Sequence, residues 1–503
     1  MLFSWQYLAQ GFAQAITPEN LVFALVGSIV GTLVGVLPGI GPTSAIAILL
    51  PLTTVLPSTP AIIMMAAIYY GAQYGGSTTA IMVNIPGEAS SVPTTLDGYQ
   101  MAKQGRAGPA LAISAISSFF AGTLSLVGLT FFAPLLAGVA LAFGPPEYFA
   151  LMFMALSLIV GLSGKALLKG FIGMCIGLLV SVIGLDPVTG AARLTFGLVD
   201  LMGGINFISV IIGLFAIGEV LVNVEEEMDL IFTATIGKLM PTMAELRSCI
   251  GTMFRATGLG FFMGLLPGCS PAVTTFVAYD FEKRMSRHPE KFGNGAIQGV
   301  AAPEGANNAT SQGGFVPLFA FGIPAGPALA VMLGGFMMYG LQPGPRLFQE
   351  NPQLVWTVIA SMYLGNVMLL VLNLPLVRLW VKIALIPFPI LGPLIVLFSV
   401  IGAYSVRYLV FDVWVALLFG VIGYLMRKFG FPMAPVVLAT ILAQMLETSL
   451  KQSLAISHGT YTIFFTRPIS VVFMLIGIVV IVRGLWMRYQ GREIPLADEG
   501  GEA

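Results

Sequence analysis

"GVLPGIGPTSA" occupies residues 35–45, and "GLLPGCSPAVT" occupies residues 264–274. The same Pro-Gly-x-x-Pro break recurs 229 residues later, both times inside apolar sequence. Proline removes a backbone donor and clashes with the preceding turn, and glycine is a weak helix former, so neither suits a helix interior. A break at mid-depth in a membrane helix strands backbone N–H and C=O groups. It is tolerated where protein or a water-lined cavity covers them.

The surrounding composition supplies the membrane. Of 503 residues, 57% are hydrophobic and 9% are charged, whereas soluble domains run near a quarter charged. Apolar runs long enough to cross a bilayer recur at 61–85, 108–135, 147–163, 168–185, 204–223, 295–322, 354–374, 384–404, 411–426, 432–447 and 469–487. The expected fold class is therefore all-α polytopic, with about 11 spans and two hairpins. Zero net charge argues against nucleic acid as a partner. Cys175, Cys249 and Cys269 are scattered and odd in number, and His288 and His458 are too few for a metal site. Residues 1–19 lack a basic n-region and a cleavage site, and read as an interfacial helix.

The Pro-Gly regions, 21–56 and 250–281, read as re-entrant helical hairpins. In the second, the limb after the break runs about 11 residues before "DFEKRMSRHPEK", or roughly 16 Å, about half of a ~30 Å hydrocarbon core. Placing that basic loop in the cytoplasm puts all but five of the 23 Lys and Arg residues inside, the exceptions being Arg193, Arg346, Arg407, Lys451 and Arg467. The C-terminus is then cytoplasmic, and segment 327–340 stays unplaced, either flat or packed laterally. An odd number of spans between the hairpins makes the halves inverted-topology repeats, a design whose substrate site lies where broken helices meet. The boundaries are an N-terminal helix (1–19), repeat 1 (20–224), a cytoplasmic linker (225–249), repeat 2 (250–447), a periplasmic loop with the last span (448–487) and a cytoplasmic tail (488–503).

The halves match a second time. "YGGSTTAIMVNIPGE" (74–88) aligns with "QGGFVPLFAFGIPAG" (312–326) at a spacing of 238, Gly75–Gly76 falling on Gly313–Gly314. Each half thus holds a hairpin tip followed by an interrupted helix, 61–88 and 295–326, dense in small and polar residues.

Polar residues at mid-membrane are costly and are functional candidates by default. For substrate these are Pro38, Gly39, Gly41, Pro42, Thr43 and Ser44 at the first tip, and Gly268, Ser270 and Pro271 at the second. The interrupted helices add Gly75, Gly76, Ser77 and Thr78, then Asn307, Asn308, Thr310 and Ser311. Pro42 and Pro271 sit where each returning limb starts. The free N–H groups there can hold a carboxylate without a buried Lys or Arg. Thr79, Asn84, Thr274, Glu304 and Gln312 are candidates for ion coupling, with Ser44, Asn308 and Thr310 as Na⁺ oxygens. Glu304 either couples protons or Na⁺ or is a structural partner near the cytoplasmic surface. Taken singly, such small residues also serve close helix packing. "GIGPTS" lacks the lysine of a phosphate-cradling loop, and no histidine base accompanies Ser270, so neither ATP binding nor hydrolysis is expected.

These four motifs, "GVLPGIGPTSAIAILLPLT", "YYGAQYGGSTTAIMVNIPGE", "GLLPGCSPAVTTFVAYDFEKRMS" and "GVAAPEGANNATSQGGFVPLFAFGIPAG", resemble the large transmembrane subunit of tripartite tricarboxylate transporters, the TctA family. The resemblance spans almost the whole chain. It implies a non-enzymatic permease of the bacterial inner membrane, a small four-helix membrane subunit, and a periplasmic solute-binding protein that delivers a carboxylate such as citrate. It further implies uptake driven by Na⁺ or H⁺, without ATP or another cofactor. The paired hairpins also look like those of elevator-type carboxylate transporters, by fold analogy. A stand-alone carboxylate symporter with the same core is the alternative reading, and an intramembrane enzyme a third.

Overall fold

The first half begins with α1 (Trp5–Ala15), α2 (Pro18–Val36), α3 (Gly41–Leu49) with a 3-10 turn at Leu50–Val55, α4 (Ser58–Val83), α5 (Val92–Lys103) and α6 (Ala107–Ala140). It continues through α7 (Pro145–Gly161), α8 (Leu167–Val182), α9 (Val199–Met202), α10 (Phe207–Ile211) and α11 (Gly218–Glu225), the last two joined by a π turn at Ile212–Ile217. The second half opens with α12 (Met243–Gly264), α13 (Pro271–Met285), α14 (Gln298–Gly313), α15 (Phe315–Phe321), α16 (Pro327–Met338) and α17 (Pro345–Glu350). It closes with α18 (Pro352–Asn373), α19 (Val377–Ile383), α20 (Phe388–Arg407), α21 (Val410–Lys428), α22 (Ala434–Ile456), α23 (Ile463–Thr466) and α24 (Pro468–Tyr489). The structure is a computed structural model describing residues 5–37, 40–161, 163, 166–186, 189–225, 236–383, 386 and 388–489. Pro38 and Gly39, residues 226–235 of the 225–249 linker and nearly all of the C-terminal tail lie outside the described residues.

Prolines mark where many of these helices begin. Pro stands in the first turn of α2, α13, α16, α17 and α18, where its missing N–H costs nothing. α12 starts on a capping box instead: the Glu245 N–H donates to Thr242 Oγ1 and the Thr242 N–H donates to Glu245.

Glycines set how the helices pack. A Cβ on Gly31 of α2 would lie 2.6 Å from the Ile68 carbonyl oxygen of α4, and one on Gly35 would lie 2.2 Å from that of Ala72 and 2.9 Å from the Gly76 nitrogen. In the second half, a Cβ on Gly260 of α12 would lie 2.6 Å from the Ala306 oxygen of α14. One on Gly264 would lie 2.5 Å from the Thr310 oxygen and 3.0 Å from the Gly314 nitrogen. The contact partners repeat the two sequence spacings, 229 for the hairpin limb and 238 for the interrupted helix. Both helix pairs are therefore held at backbone contact, which any side chain would prevent.

Burial is inverted relative to a soluble protein. The polar helix α14 is buried throughout 299–313, and α4 throughout 60–82 except Met64. By contrast, the apolar windows of α24 and α20 are only 17% and 22% buried. The outer faces of α20 and α24 are apolar, and the polar helix α14 lies inside beside a large apolar core, as a lipid surround allows.

Each of the eleven expected spans overlaps helix over most of its length among the described residues. Among the described residues, seven helices are long and apolar enough to cross a membrane, and α7, α8 and α16 are shorter apolar helices. α4 and α14–α15 stand outside both groups because their small and polar residues dilute them. Four differences from the sequence reading stand out. The interrupted helix of the first half runs unbroken from Ser58 to Val83, its break following at 84–88. α2, at 19 residues, is long and apolar enough to cross, which the re-entrant reading of 21–56 does not require. The returning limb α13 has 15 residues, about 22 Å, because the charged run after Asp280 is made of good helix formers. Segment 327–340, unplaced from sequence, is the helix α16, buried from Ala328 to Phe336 against α3, α4 and α22. Among the described residues there is also a two-stranded sheet, in which β1 (Gly184–Leu185) pairs antiparallel with β2 (Ala192–Arg193). Beside it Arg193 lies 2.5 Å from Glu447, Lys451 lies 2.7 Å from Glu447, and Lys451 also pairs with Asp186.

Candidate functional site

α14 carries Glu304 into the centre of the molecule with no exposed surface. Its carboxylate accepts hydrogen bonds from three hydroxyls: Ser77 of α4, Thr94 of α5, and Ser114 of α6 at 3.2 Å. All three donors come from the first half and the acid from the second. Ser117, one turn along α6, donates to the Ala301 carbonyl at 2.6 Å. Among the described residues, no Lys or Arg pairs with Glu304, so hydroxyl donors alone face this buried acid.

One turn along α14, Asn307 is also fully buried. Its Nδ2 stands 3.4 Å from both the Gln73 carbonyl oxygen and Glu88 Oε1. Ser90 donates to the same Glu88 oxygen at 2.5 Å. The Oδ1 atoms of Asn307 and Asn308, both side-chain polar atoms of Gln312, and Ser91 Oγ are buried without a hydrogen-bond partner. In a protein interior such atoms are rare and mark a strained or ligand-binding position.

The breaks differ in exposure. Asn84 closes α4 at φ 61° and Gly322 closes α15 at φ 73°, 238 residues later; glycine and asparagine tolerate this left-handed region best. After Asn84, which is exposed, Ile85, Pro86 and Glu88 are partly exposed. After Gly322, residues 323–326 are buried.

The structure thus brings Gly76, Ser77, Glu304 and Asn307 together, with Asn308 donating from Nδ2 to the Glu304 carbonyl at 3.4 Å. The tips have other neighbours. Ser44 donates to the Phe215 carbonyl, in the π turn, at 2.9 Å. The Gly268 N–H, at φ 87°, donates to the Ala325 carbonyl of the second break at 2.9 Å. Ser270 is the N-cap of α13 and makes no side-chain capping bond. Gly41 has φ 62°, and Pro42 and Thr43 are partly buried in the first turn of α3. Several hydroxyls serve their own helix: Thr310 bonds the Ala306 carbonyl and also that of Gly260, Ser311 that of Asn307, Thr274 that of Ser270, and Thr79 that of Gly76. Ser44 and Thr310 thus bond different elements. Of the three Na⁺ candidates, Asn308 has the unpartnered buried oxygen.

Sequence reasoning missed Glu88, Thr94, Ser114 and Asp97. Glu88 ends the quoted "NIPGE" and, like Glu304, is an acid within a stretch read as an interrupted helix. Asp97, fully buried on α5, accepts from Tyr279 Oη at 2.8 Å and from the N–H groups of Gly293, Gly295 and Ala296 at 2.8–2.9 Å. It ties the loop after the second hairpin to the first half, a role with no short-range signature.

The family model for the tripartite tricarboxylate transporter TctA family matches residues 21–438. An uncharacterized 52.8 kDa protein in the TAR-I ttuC' 3' region of Agrobacterium vitis is 45% identical over 479 residues, covering 95% of each chain. An uncharacterized protein in the TAR-II ttuC' 3' region of the same organism is 42% identical over 226 residues, 45% of this chain and 93% of the relative. No solved structure matches.

Proposed function

The chain belongs to the tripartite tricarboxylate transporter TctA family, and on that premise we propose that it is the large permease subunit of a carboxylate importer. It works in the bacterial inner membrane, with its C-terminus in the cytoplasm. A small four-helix membrane subunit accompanies it, and a periplasmic solute-binding protein delivers a tricarboxylate such as citrate. The driving force is a Na⁺ or H⁺ gradient.

The observation that carries this reading is Glu304, an acid from one half sealed among hydroxyls of the other without a Lys or Arg. An unpaired carboxylate at that depth must be offset by a proton or a cation. An anionic substrate nearby adds to the same requirement, so carboxylate and cation travel together. The substrate's carboxylates meet the helix starts at Pro42 and Pro271, where backbone N–H groups carry partial positive charge. The recurring glycine contacts and the paired left-handed residues, Asn84 and Gly322, support two repeats of one helix–break–helix unit. In this reading the repeats are inverted, and α2–α5 with α12–α16 form the moving body of an elevator, by fold analogy.

Reconstituted proteoliposomes test it. Labelled citrate should accumulate when both partner proteins and an inward Na⁺ or H⁺ gradient are present, and stop when the gradient is collapsed. Uptake by this chain alone would favour a stand-alone symporter, and turnover of substrate without a gradient would overturn transport altogether.

A further inference from the structure

We propose that Glu88, Asn307 and Ser91 form a Na⁺ site at the mouth of the first break, separate from the sealed Glu304 and reached from the exposed side. The inference deepens the transport reading by assigning a place to the coupling ion, and it rests on that reading only for its role in transport. Glu88 is partly exposed, whereas Glu304 has no exposed surface. Asn307, fully buried, approaches Glu88 through its amide at 3.4 Å and keeps Oδ1 without a partner. Ser91, also fully buried, keeps Oγ without a partner. Gly76 explains how these groups crowd together. A Cβ there would lie 2.5 Å from Ser91 Oγ and 2.9 Å from Glu88 Cγ, so only glycine leaves both in place.

The donor set decides the occupant. One carboxylate, one amide oxygen and one hydroxyl are hard oxygen ligands, which suit hard cations and not soft metals. Among the described residues no Lys or Arg pairs with Glu88, so its own charge of −1 is one that a monovalent cation cancels, and the Glu304 carboxylate, which acts on Glu88 electrostatically, adds to the attraction for a cation. A proton on Glu88 would satisfy one of the two unpartnered oxygens, whereas Na⁺ takes both together with the carboxylate. Two unpartnered buried oxygens beside one acid therefore point to the larger ion. Ser90, already donating to Glu88, holds the carboxylate in position.

The test uses the purified full-length chain, with Na⁺ alone and neither substrate nor partner. Binding of ²²Na⁺ and the rise in unfolding temperature on replacing choline chloride by NaCl at constant ionic strength are measured at fixed pH. The wild type should bind Na⁺ saturably and gain stability. Glu88→Gln should weaken binding at least tenfold and abolish the thermal gain, and Ser91→Ala should weaken binding severalfold. Glu225→Gln, remote and exposed, should behave as wild type. If Glu88→Gln does not yield a monodisperse protein, Ser91→Ala decides. No Na⁺ binding by the wild type, or binding as tight as the wild type's in Glu88→Gln or in Ser91→Ala, overturns the proposal. The outcome is separable from that of the transport reading. Uptake driven by H⁺ without Na⁺ binding sinks the site and leaves the importer. Na⁺ binding without citrate uptake leaves the site and sinks the importer.

Discussion

The two breaks, 84–88 and 322–326, are built alike and surrounded differently. Both follow a helix that lies at glycine distance from a hairpin limb, and both open on a left-handed residue. The first is open, however, and contains the acid Glu88. The second is buried, with Gly326 at the equivalent position and its Ala325 carbonyl taken by the Gly268 N–H. Backbone geometry is shared, but the chemistry falls to one side. One break thus presents a carboxylate at a partly exposed position, while the other is buried and bonded to its own hairpin tip.

The shared part of that comparison can be broken first. Gly35→Ala and Gly264→Ala each drive a methyl into a backbone carbonyl, at 2.2 and 2.5 Å. Backbone cannot rotate aside, so each should cost about 3 kcal/mol or more, read as loss of monodisperse protein or a large fall in unfolding temperature. Similar losses at both positions support equivalent packing, and tolerance at one alone separates the halves.

The unshared part comes next. Glu304→Gln should keep the fold and reduce gradient-driven uptake at least a hundredfold, and Asn307→Ala and Asn308→Ala should do nearly as much at normal expression. Wild-type uptake by either asparagine variant would remove that residue from the site. Asp97→Asn weakens an acceptor that serves three N–H groups and a tyrosine hydroxyl. It should destabilise the protein by about 2–3 kcal/mol, with Tyr279→Phe at about 1 kcal/mol, both by thermal unfolding. The smallest effect on stability, and the sharpest on the comparison, is accessibility. A cysteine at Asn84 should react with a soluble maleimide at least tenfold faster than one at Ile323, in a background without Cys175. Equal rates would show the two breaks to be equally open.

Much of the fold was legible because proline and glycine act locally. Pro-Gly-x-x-Pro cannot continue a helix, whatever surrounds it, so the ends of α2 and α12 were placed from sequence, and the contacts between helices repeat the two spacings found there. Glu304 was legible as an acid within a stretch read as an interrupted helix, although the structure places it inside the continuous helix α14 and away from the break at 322–326. Of its donors, Ser77 was named from the small polar run around it, but Thr94 and Ser114 were not, because they lie 210 and 190 residues away and no local pattern marks them. Glu88 satisfied the same criterion and was passed over, as it closed a motif read for its glycines. Ser44 was read as an ion ligand because it is small and polar at a tip. Its structural partner, the Phe215 carbonyl, lies in a π turn 171 residues away.

Sequence alone determined that the chain spans a membrane, that it breaks its helices in two matched places, and that glycines permit those helices to touch. These follow from hydropathy, proline chemistry and the missing Cβ, which act within a few residues. Tertiary structure decided which break is open, which acid is sealed and which oxygens lack partners. Those properties depend on what other helices place beside a residue, and helices from distant parts of the chain meet only once the whole bundle has closed around them.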